Sequence, residues 1–113
     1  MAYKTISRVQ VKGLESRPGA IQAALEILGD KWSPLLISQL IKQPKTFGEL
    51  ELNLPGISPR TLSNRLKNLL AENIVSKSQY LAHPPRYRYG LTARGKELQG
   101  IVSRMAKWGE RYP

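Results

Sequence analysis

Apolar positions along this chain repeat first at helical spacing, then alternate, then return to helical spacing; that order predicts helices, a β-hairpin and a last helix. From Ala20, the residues Ile21, Ala24, Leu25 and Leu28 recur three or four apart, and Gly29 supplies the stop. Leu35, Leu36, Ile37, Leu40 and Ile41 give a second helix a wide buried face. Asp30 or Ser33 is placed to cap it, Pro34 falls early in it, and Lys42-Gln43-Pro44 marks its end. Thr46-Phe47-Gly48-Glu49 has the form of a capping box, in which the Thr hydroxyl accepts from the Glu amide and the Glu carboxylate accepts from the Thr amide. A short third helix follows, and the turn Leu54-Pro55-Gly56-Ile57 leads into a fourth, capped by Ser58 with Pro59 at its first position. Leu62, Leu66, Leu69 and Leu70 gather on one side of that fourth helix.

After Asn73 the residue types become β-branched and aromatic, predicting strands roughly from Val75 to Leu81 and Arg86 to Leu91, with His83-Pro84-Pro85 at the tip between them. On the second strand Tyr87, Tyr89 and Leu91 share a face and pack, while Arg86 and Arg88 share the other and point outward. Thr92 begins a last helix with a stripe of Leu98, Ile101, Val102, Met105 and Trp108. Ahead of all these, Val9 and Val11 alternate like a short strand or extended arm that also carries Lys4, Arg8, Lys12 and Arg17. The expected organisation is an arm over 1–18 and one domain over 19–113, with a helix-turn-helix at 46–72, a wing at 74–91 and a C-terminal helix at 92–110. In fold class this is mainly α with a small β-hairpin: a winged helix-turn-helix with a three-helical core, a wing and a C-terminal dimerisation helix.

Charge changes the picture. The net charge is +10, and the segment from Ser58 to Arg94 holds Arg60, Arg65, Lys67, Lys77, Arg86, Arg88 and Arg94 against Glu72 as its only acid, a net +6. Such a cluster concentrates a polyanion by counterion release, and the pI near 10.2 agrees. The polar face of the fourth helix sharpens this: Arg60, Thr61, Asn64, Lys67 and Asn68 lie opposite the leucines with no acid among them. A merely solvated face mixes both signs, whereas Arg, Asn, Thr and Lys are the donors that meet guanine edges, adenine edges and phosphates. Arg60 and Asn64, one turn apart, are the candidates for base readout; phosphate contact is the simpler alternative for either. Arg65 and Lys67 suit phosphate, Ser58 suits phosphate or capping alone, and Arg86 and Arg88 suit the minor groove or phosphate.

The order of elements, with four phrases inside it, resembles a known family. Ala24-Leu25-Glu26-Ile27-Leu28-Gly29-Asp30-Lys31-Trp32, Phe47-Gly48-Glu49-Leu50, Leu54-Pro55-Gly56-Ile57-Ser58 and Pro84-Pro85-Arg86-Tyr87-Arg88-Tyr89-Gly90-Leu91-Thr92 are similar to the HxlR-type regulators, relatives of the MarR group, over about Ala20 to Gly109. The resemblance implies a homodimeric, DNA-binding transcription factor, often a regulator of stress or metabolic genes. Many members carry a sensing cysteine at the position matching Gly19; this chain has none, which excludes cysteine-based sensing and leaves a small-molecule effector, pH or protein concentration as the switch.

The apolar stripe of the last helix has two readings, core or dimer interface. In the second, Leu98, Ile101, Val102, Met105 and Trp108 meet Ile21 and Leu25 of the first helix, and a twofold dimer sets two reading helices ~34 Å apart on a pseudo-palindromic duplex. Repression is the simplest action for such a dimer. Enzyme chemistry has little support: there is no cysteine, one histidine and no glycine-rich phosphate loop, and Glu49 and Glu51 merely adjoin the third helix. His83, with no second histidine, suits a turn or a weak phosphate contact rather than a metal, and no cofactor is expected. No apolar run approaches the roughly 20 residues of a membrane span, and the start has no apolar h-region, so a soluble cytoplasmic protein is expected. The alternative functions are a winged-helix protein-interaction module, or a single-stranded nucleic-acid binder stacking bases on Tyr80, Tyr87 and Tyr89.

Overall fold

A computed structural model of the protein describes residues 18–113. The arm expected over 1–18, with its Val9 and Val11 alternation, lies outside the described residues apart from Pro18. Residues up to Asp30 form one unit and those from Lys31 onward another.

In the first unit, α1 spans Ala20–Leu28, starts from a left-handed Gly19 and stops at Gly29. Ile27 and Leu28 are buried, while Ile21 and Leu25 are exposed.

The second unit runs α2 (Trp32–Gln39), α3 (Phe47–Asn53), α4 (Pro59–Ala71), β1 (Val75–Leu81), β2 (Arg86–Leu91) and α5 (Ala93–Arg111). Its core is built from Leu36, Ile37 and Leu40 of the α2 region, Leu50, Leu54 and Ile57 around α3, Leu62, Leu66 and Leu69 of α4, and Ile74, Val75, Tyr89 and Val102. Packing of α2 against α3, α4 and α5 makes it the hub, with α4 against β1 and α3 against β2. Burial of these apolar side chains is the chief stabilising contribution, at about 25 cal/mol per Å² removed from water.

Local signals explain most boundaries. The Thr46 capping box forms as expected, with Glu49 N–H donating to Thr46 Oγ1 at 3.1 Å and Thr46 N–H donating to Glu49 Oε1 at 2.8 Å. Gly56, at φ 93°, makes the turn into α4, and Ile57 N–H closes it on the Leu54 carbonyl at 3.1 Å. At the other end Asn73 takes a left-handed φ of 60°, a conformation asparagine tolerates, and Ile74 N–H donates to the Leu69 carbonyl at 2.9 Å.

Helix α2 departs from expectation. Ser33 does not take the cap position: Lys31 precedes the helix, already in helical geometry, and Ser33 is buried inside the first turn. The helix stops at Gln39, ahead of Lys42-Gln43-Pro44, leaving Ile41 beyond it and exposed, and Leu35, although inside the helix, is exposed as well, so neither completes the buried face. The early stop frees the chain to bring Lys45 beside β2, where Lys45 and Tyr89 exchange backbone hydrogen bonds of 2.9 and 2.8 Å. This bridge was not expected, and it ties the residue before the α3 cap to the hairpin.

The hairpin is antiparallel, with Val75 opposite Leu91 and Lys77 opposite Tyr89. Its register slips between Gln79 and Leu81, at Tyr80. Thr92 then caps α5: its hydroxyl accepts from Gly95 N–H at 2.9 Å and donates to the Asn73 carbonyl at 2.7 Å. Gly95 is buried so close to Ile74 that any Cβ there would collide with the Ile74 carbonyl, so glycine sets how near α5 docks.

Candidate nucleic-acid interface

Helix α4 owes its position to a cap below and leucines behind. Ser58 Oγ accepts from Thr61 N–H at 3.1 Å and donates to Thr61 Oγ1 at 3.0 Å, so its local hydrogen bonds match the capping role. With Leu62, Leu66 and Leu69 buried, rotation about the helix axis is fixed and the opposite face must meet solvent. Arg60, Asn64, Lys67 and Asn68 are all exposed there, while Thr61 and Arg65 are half-buried at the flank. Arg65 lies beside the apolar face with its Nε buried, which distinguishes it from the outward Arg60 and Lys67.

The wing presents Arg86 and Arg88, both exposed. Its tyrosines divide. Tyr89, held by the Lys45 bridge, is only 9% exposed, whereas Tyr87 lies farther out and is 40% exposed, so it does not pack as expected. Three aromatic–cation contacts organise this ribbon: Arg88 lies 4.0 Å from the centroid of Tyr80, and Lys77 lies 4.5 Å from that of Tyr87 and 5.8 Å from that of Tyr89. Sequence reading placed these tyrosines and cations on the hairpin but did not pair them. The register would have located Lys77 against Tyr89, while the slip at Tyr80 hid the other pair.

Between the start of α3 and the wing lies an open cleft of about 290 Å³, walled by Phe47, Gly48, Lys77, Tyr80, Arg86, Tyr87 and Tyr89. The Glu49 carboxylate nearby is held below its ordinary value of 4.5, first by the Thr46 backbone N–H; desolvation opposes this as the next effect, and the Thr46 hydroxyl and the positive charges of Lys45 and Arg88 lower it further.

The stripe expected on the last helix proves to be two lines. Gly95 and Val102 are buried and Leu98 is half-buried, so this line faces the chain's own interior. Val102, 6% exposed, is thereby corrected from interface to core. Ile101, Met105 and Trp108 stand about a quarter-turn round the helix and are exposed, Trp108 at 64% with Tyr112 beside it at 5.2 Å between centroids. Three- and four-residue spacings merge both lines in the sequence. His83 is exposed at the wing tip. Among the described residues no group of three or more histidine, cysteine or acidic side chains is placed to hold a metal, and no helix is long and apolar enough to cross a membrane.

Comparison with known proteins gives consistent matches. The HxlR-like helix-turn-helix family matches residues 27–113. An HTH-type transcriptional regulator from Synechocystis sp. is 40% identical over 92 residues, covering 81% of this chain and 68% of that protein. A crystal structure of a transcriptional regulator assigned to the MarR family, from Porphyromonas gingivalis W83, superposes with a TM-score of 0.80 at 30% identity, covering 93% of this chain and all of that one. The redox regulator HypR in its oxidized form superposes with a TM-score of 0.79 at 34% identity, covering 82% and 96%.

Proposed function

Because this chain belongs to the HxlR-like helix-turn-helix family and is a transcriptional regulator with a helix-turn-helix DNA-binding domain, we propose that it binds double-stranded DNA sequence-specifically, as a homodimer, and represses transcription by occluding the promoter. The observation that carries this reading is the outward face of α4: Arg60, Asn64, Lys67 and Asn68 are exposed with no acid among them. Arg60 and Asn64 read base edges in the major groove, Thr61 supports them, and Lys67, Asn68, Arg65 and Ser58 meet phosphates along the helix. Arg86 and Arg88 extend the contact to an adjoining phosphate row or the minor groove. The functional parts are the helix-turn-helix at 46–72, the wing at 74–91 and the C-terminal helix at 92–110.

Dimerisation uses the exposed Ile101, Met105 and Trp108 of α5, with the half-buried Leu98 at their margin, together with Ile21 and Leu25 of α1. A twofold arrangement gives two α4 helices ~34 Å apart, matched to a pseudo-palindromic operator. The solved relative HypR is described as a redox regulator. This sequence of 113 residues contains no cysteine, so its own thiols do not supply a switch here.

Titrating a labelled duplex at several salt concentrations tests the reading. Affinity should fall steeply and linearly on a log–log plot as salt rises, by about one unit of slope per phosphate contact; a flat plot would remove the electrostatic basis. Selection of bound duplexes from a random pool should return an inverted repeat, and a single-stranded pool should be bound less tightly. Sedimentation of the protein alone should give twice the chain mass.

A further inference from the structure

The two wing arginines are not equivalent. Arg86 borders the cleft beside Lys77 and Tyr87, whereas Arg88 lies with its guanidinium carbon 4.0 Å from the centre of the Tyr80 ring. The hairpin's register slips at Tyr80, and such a bulge re-aims the side chain it carries. Both partners are exposed, so the contact is made on the surface of the ribbon rather than in the core.

We propose that Tyr80 is a positioning residue for Arg88, holding its guanidinium in one orientation on the wing before DNA arrives. The inference rests on Arg88 meeting DNA as proposed above. A ring stacked on a guanidinium occupies its flat face, while all five N–H donors lie in the plane and stay directed outward. A phosphate approaching edge-on therefore finds a fork already aligned, without displacing the ring. An arginine free in solvent would have to surrender its rotamer freedom on binding; one already stacked has less to lose. The Tyr80 hydroxyl is not needed for any of this, because the attraction comes from the ring face.

The test is a double-mutant cycle on duplex affinity measured across a salt series with the full chain. Tyr80→Leu should weaken binding by about two- to tenfold with the salt slope unchanged, because no phosphate contact is removed. Tyr80→Phe should restore most of the affinity. Arg88→Ala should weaken binding and lower the salt slope by about one unit. In the Arg88→Ala background, Tyr80→Leu should cost nothing further. An equal loss from Tyr80→Leu in both backgrounds would assign Tyr80 a role in the hairpin alone and overturn the proposal, as would a failure of Tyr80→Phe to rescue. If Arg88→Ala left affinity and slope untouched, the wing contact itself would be wrong, a separate failure. Thermal melts of each variant separate weakened binding from unfolding.

Discussion

Helices α4 and α5 follow the same amphipathic plan and leave different surfaces uncovered. In α4 Leu62, Leu66 and Leu69 are buried and Leu70 half-buried, and apart from Pro59 and Ala71 at the two ends what remains is polar and free of acids. In α5 the interior takes Gly95 and Val102, and a second apolar line, Ile101, Met105 and Trp108, stays in solvent. Packing the chain's own core explains one face of each helix. The other face has to be explained by something outside the core: a polyanion fits the first, and another apolar surface fits the second. Amphipathicity alone would have classed both as core helices.

The largest effect should come from the apolar side. Met105→Glu would place an unpaired charge in the proposed dimer interface, weakening association by about 3 to 5 kcal/mol; sedimentation should then report a folded monomer whose melting temperature no longer depends on protein concentration, since the side chain is exposed in the single chain. A variant that stayed dimeric would move the interface elsewhere. On the polar side, Arg60→Ala should reduce specific affinity by about 1 to 3 kcal/mol and relax preference at one base pair, whereas Lys67→Ala should weaken all sequences alike and flatten the salt slope by about one unit. Equal behaviour of the two would merge readout and phosphate contact into one role. Ser58→Ala should lower folding stability by about 1 kcal/mol, read from a denaturant melt, because the first turn of α4 loses its cap.

The smallest effect concerns the support helix. Glu49 has a folded pKa below its ordinary 4.5, so the stability it contributes is fully present above that value and is lost as pH falls through the lowered folded value. Glu49→Gln should therefore flatten the acid side of the stability curve, followed by urea midpoints from neutral pH down to about pH 3. An unchanged curve would mean that the capping box stabilises through geometry rather than charge.

What sequence reading reached is set by the range of each signal. The bounds of α4, the Thr46 box and both strands follow from neighbours within four residues: Ser58-Pro59, Thr46 with Glu49, and the alternation around Tyr87. The misplaced features depend on residues distant in the chain. Helix α2 ends short of Pro44, and Lys45 beyond it pairs with Tyr89, far downstream. Val102 lies in the core because Gly95 lets α5 settle against Ile74. Of the candidate interface, the α4 face could be read because helical geometry alone sorts it; the Tyr80–Arg88 contact could not, because it depends on a slip in pairing that no local pattern announces.

The Lys45–Tyr89 bridge has a consequence for divergence. Peptide groups alone make both of its rungs, so the side chain at 45 can be exchanged without loosening the join, except for proline, which lacks the needed N–H, while the one at 89 answers to the core. The tilt of the ribbon relative to α3 is thus guarded by main-chain geometry. Surface residues proposed to touch an operator are left to drift toward new targets on a frame whose angles stay constant.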